Sequence, residues 1–140
     1  MWRICIDTGG TFTDGVAVDP EGRVHRAKIL STSALRGRVI RQASADQLEI
    51  EESWDAPAGL VKGFRFRPLD RDGAIATVVD HDAATGLLRL SPALDGPLAE
   101  GTAFEITSDE EAPLLAARLL TGTGSATALP PSRMRLATTL

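Results

Sequence analysis

The 140-residue chain predicts an α+β fold, and three observations carry that expectation. Apolar runs of strand length, Trp2 to Ile6 and Val16 to Val18, flank a loop of Asp, Gly and Thr. Between Ser31 and Ser108, short β-like runs recur between turn signals at the spacing of a small barrel or sandwich. Near the end, Leu114, Leu115, Arg118 and Leu119 keep the spacing of an amphipathic helix.

The N-terminal meander comes first. Trp2–Asp7 forms one strand, the glycine loop follows, and a second strand lies near Gly15–Asp19. Pro20-Glu21-Gly22 is a turn signal, and Val24 to Leu30 gives a third strand with His25 and Lys28 on a solvated face. A strand His with no Asp or Cys beside it reads as structural or exposed and not as a catalytic base. Cys5 lies inside the first apolar run and reads as a small buried side chain.

The middle stretch is read as an inserted β-rich subdomain. Val39–Ala43 and Gln47–Ile50 are candidates to pair, and Phe64-Arg65-Phe66-Arg67 alternates strictly. Ala74–Val79 and Leu87–Leu90 flank the turn at 80–86, and Ala103–Thr107 closes the set. Asp70-Arg71-Asp72-Gly73 fails as a calcium loop, because the twelfth position is His81 where a bidentate Glu is needed. A turn with left-handed Gly73 explains it. His81 between Asp80 and Asp82 is a weak metal signal, with one imidazole in a turn.

Ser108-Asp109-Glu110-Glu111 has the form of a capping box, and Pro113 places the helix start between Ser108 and Pro113. Leu115 and Leu119 should face the core, and Gly122 fits the position just past the helix end. Thr121 to Pro131 is a loop. Its Thr-Gly-Thr-Gly run follows a helix, where the dipole disfavours anions. The final residues, Arg135 to Leu140, read as a strand and a turn.

Composition removes several classes of function. A net charge of -4, with no basic cluster, argues against nonspecific nucleic-acid binding. Two Trp, four Phe and no Tyr leave no stacking platform for bases. One Cys excludes an internal disulfide and suits a reducing compartment. No apolar run reaches transmembrane length, and the first one stops at Asp7, unlike a secretory leader, so the expectation is a cytoplasmic protein.

The chemistry concentrates in Ile6-Asp7-Thr8-Gly9-Gly10-Thr11-Phe12-Thr13-Asp14. Glycines allow backbone N–H groups to approach an anion, Thr hydroxyls add donors, and a carboxylate beside phosphate suits a Mg²⁺ that keeps most of its waters. No Gly-Lys-Ser/Thr is present and no helix opens after the glycines, so this is not a Walker loop. An ordinary tight turn is the simpler alternative, and the pattern alone leaves both open.

This string resembles the opening of the hydantoinase A/5-oxoprolinase family, whose N-terminal region begins with such a hairpin. The family is similar to the actin-like ATPases, whose first hairpin carries a phosphate loop. It includes ATP-dependent 5-oxoprolinases, N-methylhydantoinases, and acetone and acetophenone carboxylase subunits. The helix near Ala112–Leu120 and the final Thr-Thr segment also match, and in the family a similar Gly/Ala-Thr-Thr segment continues into a long ATPase core.

The resemblance implies that the chain is the N-terminal part of a longer protein. Residues 1–30 and 109–140 would belong to a partial actin-like, ribonuclease H-like ATPase lobe, with residues 31–108 inserted as a barrel-like subdomain. The implied activity is ATP- and Mg²⁺-dependent opening of a lactam or hydantoin ring, in which phosphorylation of the resonance-stabilised carbonyl oxygen lets water attack. Asp7 would act near Mg²⁺. The backbone from Thr8 through Gly9 and Gly10 to Thr11, and the Thr11 and Thr13 hydroxyls, would hold phosphate. Asp14 would be a second carboxylate on Mg²⁺ or a loop cap, with the cap favoured, and Phe12 would anchor the hairpin in the core. The partners implied are a small cyclic amide, the rest of the chain and a second, hydantoinase B-like subunit. Other readings are a related carboxylase subunit, another actin-like phosphotransferase, or a non-catalytic subunit-interaction module.

Overall fold

The structure is a computed structural model that describes residues 1–125 and 127–139. In chain order its elements are β1 (Trp2–Thr8), β2 (Phe12–Val18), β3 (Val24–Leu30), β4 (Ala34–Ser44), β5 (Gln47–Glu51), β6 (Arg65–Pro68), β7 (Ala76–Asp82), β8 (Leu87–Ser91), β9 (Ala103–Thr107), α1 (Ala112–Thr121) and β10 (Ser132–Thr138). The described chain is thus mostly β, in two sheets, with one ten-residue helix. The helical share is smaller than an α+β label suggests. Two compact units form, Met1–Ala34 together with the chain from Asp109 onward, and Leu35–Ser108. Part of the final Thr-Thr-Leu turn, Leu140, and Ala126 of the 121–131 loop lie outside the described residues.

The first unit is a four-stranded sheet in the order β10-β1-β2-β3, with β10 parallel to β1 and the other pairs antiparallel. Period-two alternation sends Ile4, Ile6, Ala17 and Ile29 inward and leaves Arg3, Cys5 and Asp7 exposed. Helix α1 packs on β1, β2 and β3 through Leu115, Ala116 and Leu120. At Gly15 an added Cβ would sit 2.7 Å from Leu120 Cδ1, so glycine there lets the helix come close. Gly122 ends the helix at φ 66, the expected left-handed cap. The N-terminus differs from the expected capping box. Glu111 is the cap residue without a side-chain cap bond, and Ser33 Oγ donates to Glu110 O at 2.5 Å.

Strand parity corrects several side-chain placements. Cys5 is exposed and not buried, because its neighbours Ile4 and Ile6 already take the inward face. His25 and Lys28 cannot share a face, being three residues apart on one strand. Lys28 is exposed, whereas the His25 ring packs 5.4 Å from Trp2 and donates from Nε2 to Asp19 Oδ2 at 3.0 Å. Leu120, and not Leu119, is the deeply buried residue of the last helical turn.

Asp19 closes the β2–β3 turn. Its Oδ1 accepts from the Glu21 and Arg23 N–H groups, each at 2.9 Å, and its Oδ2 accepts from Arg23 Nε at 2.9 Å. The His25 hydrogen bond, then the backbone and side-chain contacts of Arg23, hold the Asp19 carboxyl well below the usual carboxylate range against the opposing effect of burial.

The second unit is a closed barrel in the order β4-β5-β8-β7-β6-β9. Leu48, Phe66, Val78, Leu88, Leu90, Phe104 and Ile106 fill it. The expected β4–β5 pair forms, and Phe64 and Phe66 are buried while Arg65 is exposed. Gly73 takes φ 75 as the turn requires. Strand β7 runs on to Asp82, which shortens the expected turn at 80–86. The His81 side chain, 6% exposed, packs against Trp54 and lies 3.8 Å from Glu52. Asp80 and Asp82 alternate to the exposed side of the strand. Among the described residues no three metal-ligating side chains gather. No described helix is long and apolar enough to cross a membrane.

Candidate metal and phosphate site

The glycine loop is the tip of the β1–β2 hairpin. Gly9 N–H donates to Phe12 O at 2.9 Å, which leaves Gly10 and Thr11 exposed at the tip. No helix follows, because β2 starts at Phe12. Neither glycine takes a left-handed φ. An added Cβ at Gly9 would stand 3.1 Å from Phe12 O, but one at Gly10 would meet nothing within 4 Å. Among the described residues, neither packing nor φ calls for glycine at position 10. Close approach of something outside the chain is a reason that remains.

Ser31, at the end of β3, holds the loop from below. Its N–H donates to Thr11 O at 2.8 Å and its hydroxyl donates to Gly9 O at 2.8 Å. Because that proton is used on Gly9, the 3.0 Å contact between Thr13 Oγ1 and Ser31 Oγ has Thr13 as the donor. Thr13 is fully buried, and this corrects its expected part in binding phosphate. Its hydroxyl faces the helix side and supports Ser31. Parity then sends Phe12 outward, 44% exposed, with Lys28 Nζ 4.6 Å from its ring centroid. Phe12 is a surface residue and not a core anchor.

The antiparallel register sets Asp7 directly opposite Asp14, and Asp14 opposite Lys28. Both carboxylates are exposed. Asp14 makes no side-chain hydrogen bond among the described residues, so the expected cap is not formed. Asp7 Oδ1 accepts from Thr139 Oγ1 at 2.8 Å, and Thr139 N–H donates to Thr8 O at 2.9 Å. Like charges facing across a strand pair repel, by about 0.8 kcal/mol at ~5 Å in water. A hard divalent cation would turn that repulsion into attraction, and two exposed carboxylates with open solvent beside them suit Mg²⁺, which retains waters. The donor set therefore fits the expected ion.

Of the residues singled out in the sequence, Asp7, Thr8, Gly9, Gly10, Thr11 and Asp14 gather at one end of the sheet, and Thr13 lies beneath them. Sequence reasoning missed Ser31 and gave Thr139 no role. No local pattern signals Ser31. Thr139 lay in the Thr-Thr segment, whose place beside β1 only the parallel pairing reveals.

The hairpin thus carries one exposed carboxylate on each strand, facing each other beside its glycine tip. Residues 3–61 match the family model of the hydantoinase/oxoprolinase N-terminal region. The match runs from β1 through β5 to Val61. No curated protein and no solved structure matches the chain.

Proposed function

We propose that this chain is the opening part of an actin-like, ribonuclease H-like ATPase lobe in an enzyme that opens lactam or hydantoin rings with ATP and Mg²⁺. The hydantoinase/oxoprolinase match over residues 3–61 supports the enzyme class. The sheet order β10-β1-β2-β3, with a helix on one face and β10 parallel to β1, supports the lobe. The observation that carries the reading is the register of Asp7 against Asp14 beside a Gly10 whose Cβ position is open among the described residues.

In this reading Asp7 and Asp14 hold Mg²⁺, partly through its waters. Mg²⁺ with ATP supplies charge neutralisation and an activated phosphoryl group for a carbonyl oxygen that water alone attacks slowly. The residues of this chain bind and orient. Gly10 admits phosphate close to the backbone, and the Thr11 hydroxyl and the N–H groups of the tip donate to it. Ser31 and Thr13 keep the tip in shape from below. The substrate amide is outside their reach in this reading, and the hairpin's work is positioning.

The test is ring opening of 5-oxoproline or hydantoin by the enzyme that carries this region. ADP should form in step with ring opening, and both should stop when Mg²⁺ is chelated. Ring opening that proceeds without ATP would overturn the proposal.

A further inference from the structure

Thr139 is the first residue past β10, level with the point where β1 gives way to the glycine loop. Its backbone extends the parallel ladder by one bond to Thr8 O, and its hydroxyl reaches the Asp7 carboxylate across 132 residues of sequence. An exposed Asp side chain samples several rotamers. A hydroxyl donor fixed by its own strand selects one of them. With Oδ1 held at 2.8 Å by Thr139, Oδ2 makes no hydrogen bond among the described residues. Asp14, opposite Lys28, accepts no side-chain hydrogen bond among the described residues, so the hydrogen bond that orients the carboxylate pair comes from the Asp7 side.

We propose that Thr139 is a positioning residue: it aims the Asp7 carboxylate so that a single oxygen is presented, with Asp14, to a divalent cation. This rests on the metal reading of the hairpin. Outer hydrogen-bond donors to a ligating carboxylate commonly change metal affinity by about tenfold or more when removed.

The experiment titrates the chain with Mn²⁺ alone and follows paramagnetic broadening of backbone amide resonances, alongside thermal melting. In the wild type, broadening should centre on residues 7 and 14. Thr139→Val keeps the β-branched shape and the backbone bond to Thr8 but removes the donor. Its Mn²⁺ affinity should fall about tenfold with the melting temperature unchanged. Thr139→Ser restores the donor and should bind within about twofold of wild type. Broadening in the wild type centred away from Asp7 and Asp14 would sink the metal reading, and this proposal with it. Normal wild-type broadening with undiminished binding by Thr139→Val would overturn the role of Thr139 alone. So would failure of Thr139→Ser to restore binding, or a loss in Thr139→Val that merely follows a lower melting temperature.

Discussion

Asp7→Asn separates the function of the hairpin from its stability. The substitution keeps side-chain size and an oxygen that accepts from Thr139 Oγ1. It removes the repulsion with Asp14, its cross-strand partner, which is about 0.8 kcal/mol at ~5 Å in water. It also turns a charge-assisted hydrogen bond into a neutral one, a loss of about 0.5–1 kcal/mol. The two changes oppose each other and are of similar size. The chain should therefore keep its stability within about 0.5 kcal/mol, a melting shift of no more than ~2 °C. Under the proposed function the charge that would hold Mg²⁺ is lost, however, and ATP-dependent ring opening by an enzyme carrying this region should fall by at least about a hundredfold. Circular-dichroism melts of the chain and coupled ADP release by the enzyme measure the two effects. Glu100→Gln, at an exposed residue of the turn before β9, is the matched control. His25 is unsuitable for that purpose, because its ring is bonded to buried Asp19 and packed on Trp2. Near-normal turnover in Asp7→Asn, or a loss that only tracks unfolding, would show that Asp7 is a turn residue.

Other variants probe the scaffold beneath the site. Ser31→Ala strands the buried Thr13 hydroxyl and frees Gly9 O, and should destabilise the first unit by about 1–3 kcal/mol in denaturant melts. Gly15→Ala drives a methyl toward Leu120 Cδ1 and should cost about 1–3 kcal/mol, much of it recovered when Leu120→Val is added. Acid melts should reveal Asp19. Its folded pKa is depressed below the ordinary 3.8, so its stabilisation is complete above about pH 4 and disappears as pH falls below that value toward the folded pKa. Asp19→Asn should flatten the pH dependence in that range.

Local features of the fold were legible in the sequence because they rest on local physics. Gly122 and Gly73 end a helix and shape a turn through left-handed φ, and Phe64-Arg65-Phe66-Arg67 reports its own alternation. Parity within short strands was harder to read. A seven-residue strand holding both Phe12 and Thr13 has two possible registers, and hydrophobicity favours the one that buries Phe. The structure takes the other, because a buried Thr13 bonded to Ser31 shapes the loop and Phe12 can lie under Lys28. Contacts distant in sequence left no trace in the pattern. Ser31 to Gly9 spans 22 residues and Thr139 to Asp7 spans 132, and only the sheet order brings them together. At the candidate site, the residue types carried only the expectation of metal and phosphate chemistry, while the pairing of Asp7 with Asp14 needed the register.

The proposed function requires the β1–β2 hairpin to bind a metal–phosphate group. Amide chemical shifts of the chain, titrated with Mg²⁺ and ATP together, test it most directly. Weak, fast-exchange shifts should be confined to the hairpin and its supports, largest at Gly9, Gly10 and Thr11, and abolished in Asp7→Asn. Shifts absent from the hairpin at millimolar Mg²⁺ and ATP, or centred in the barrel of residues 35–108, would contradict it.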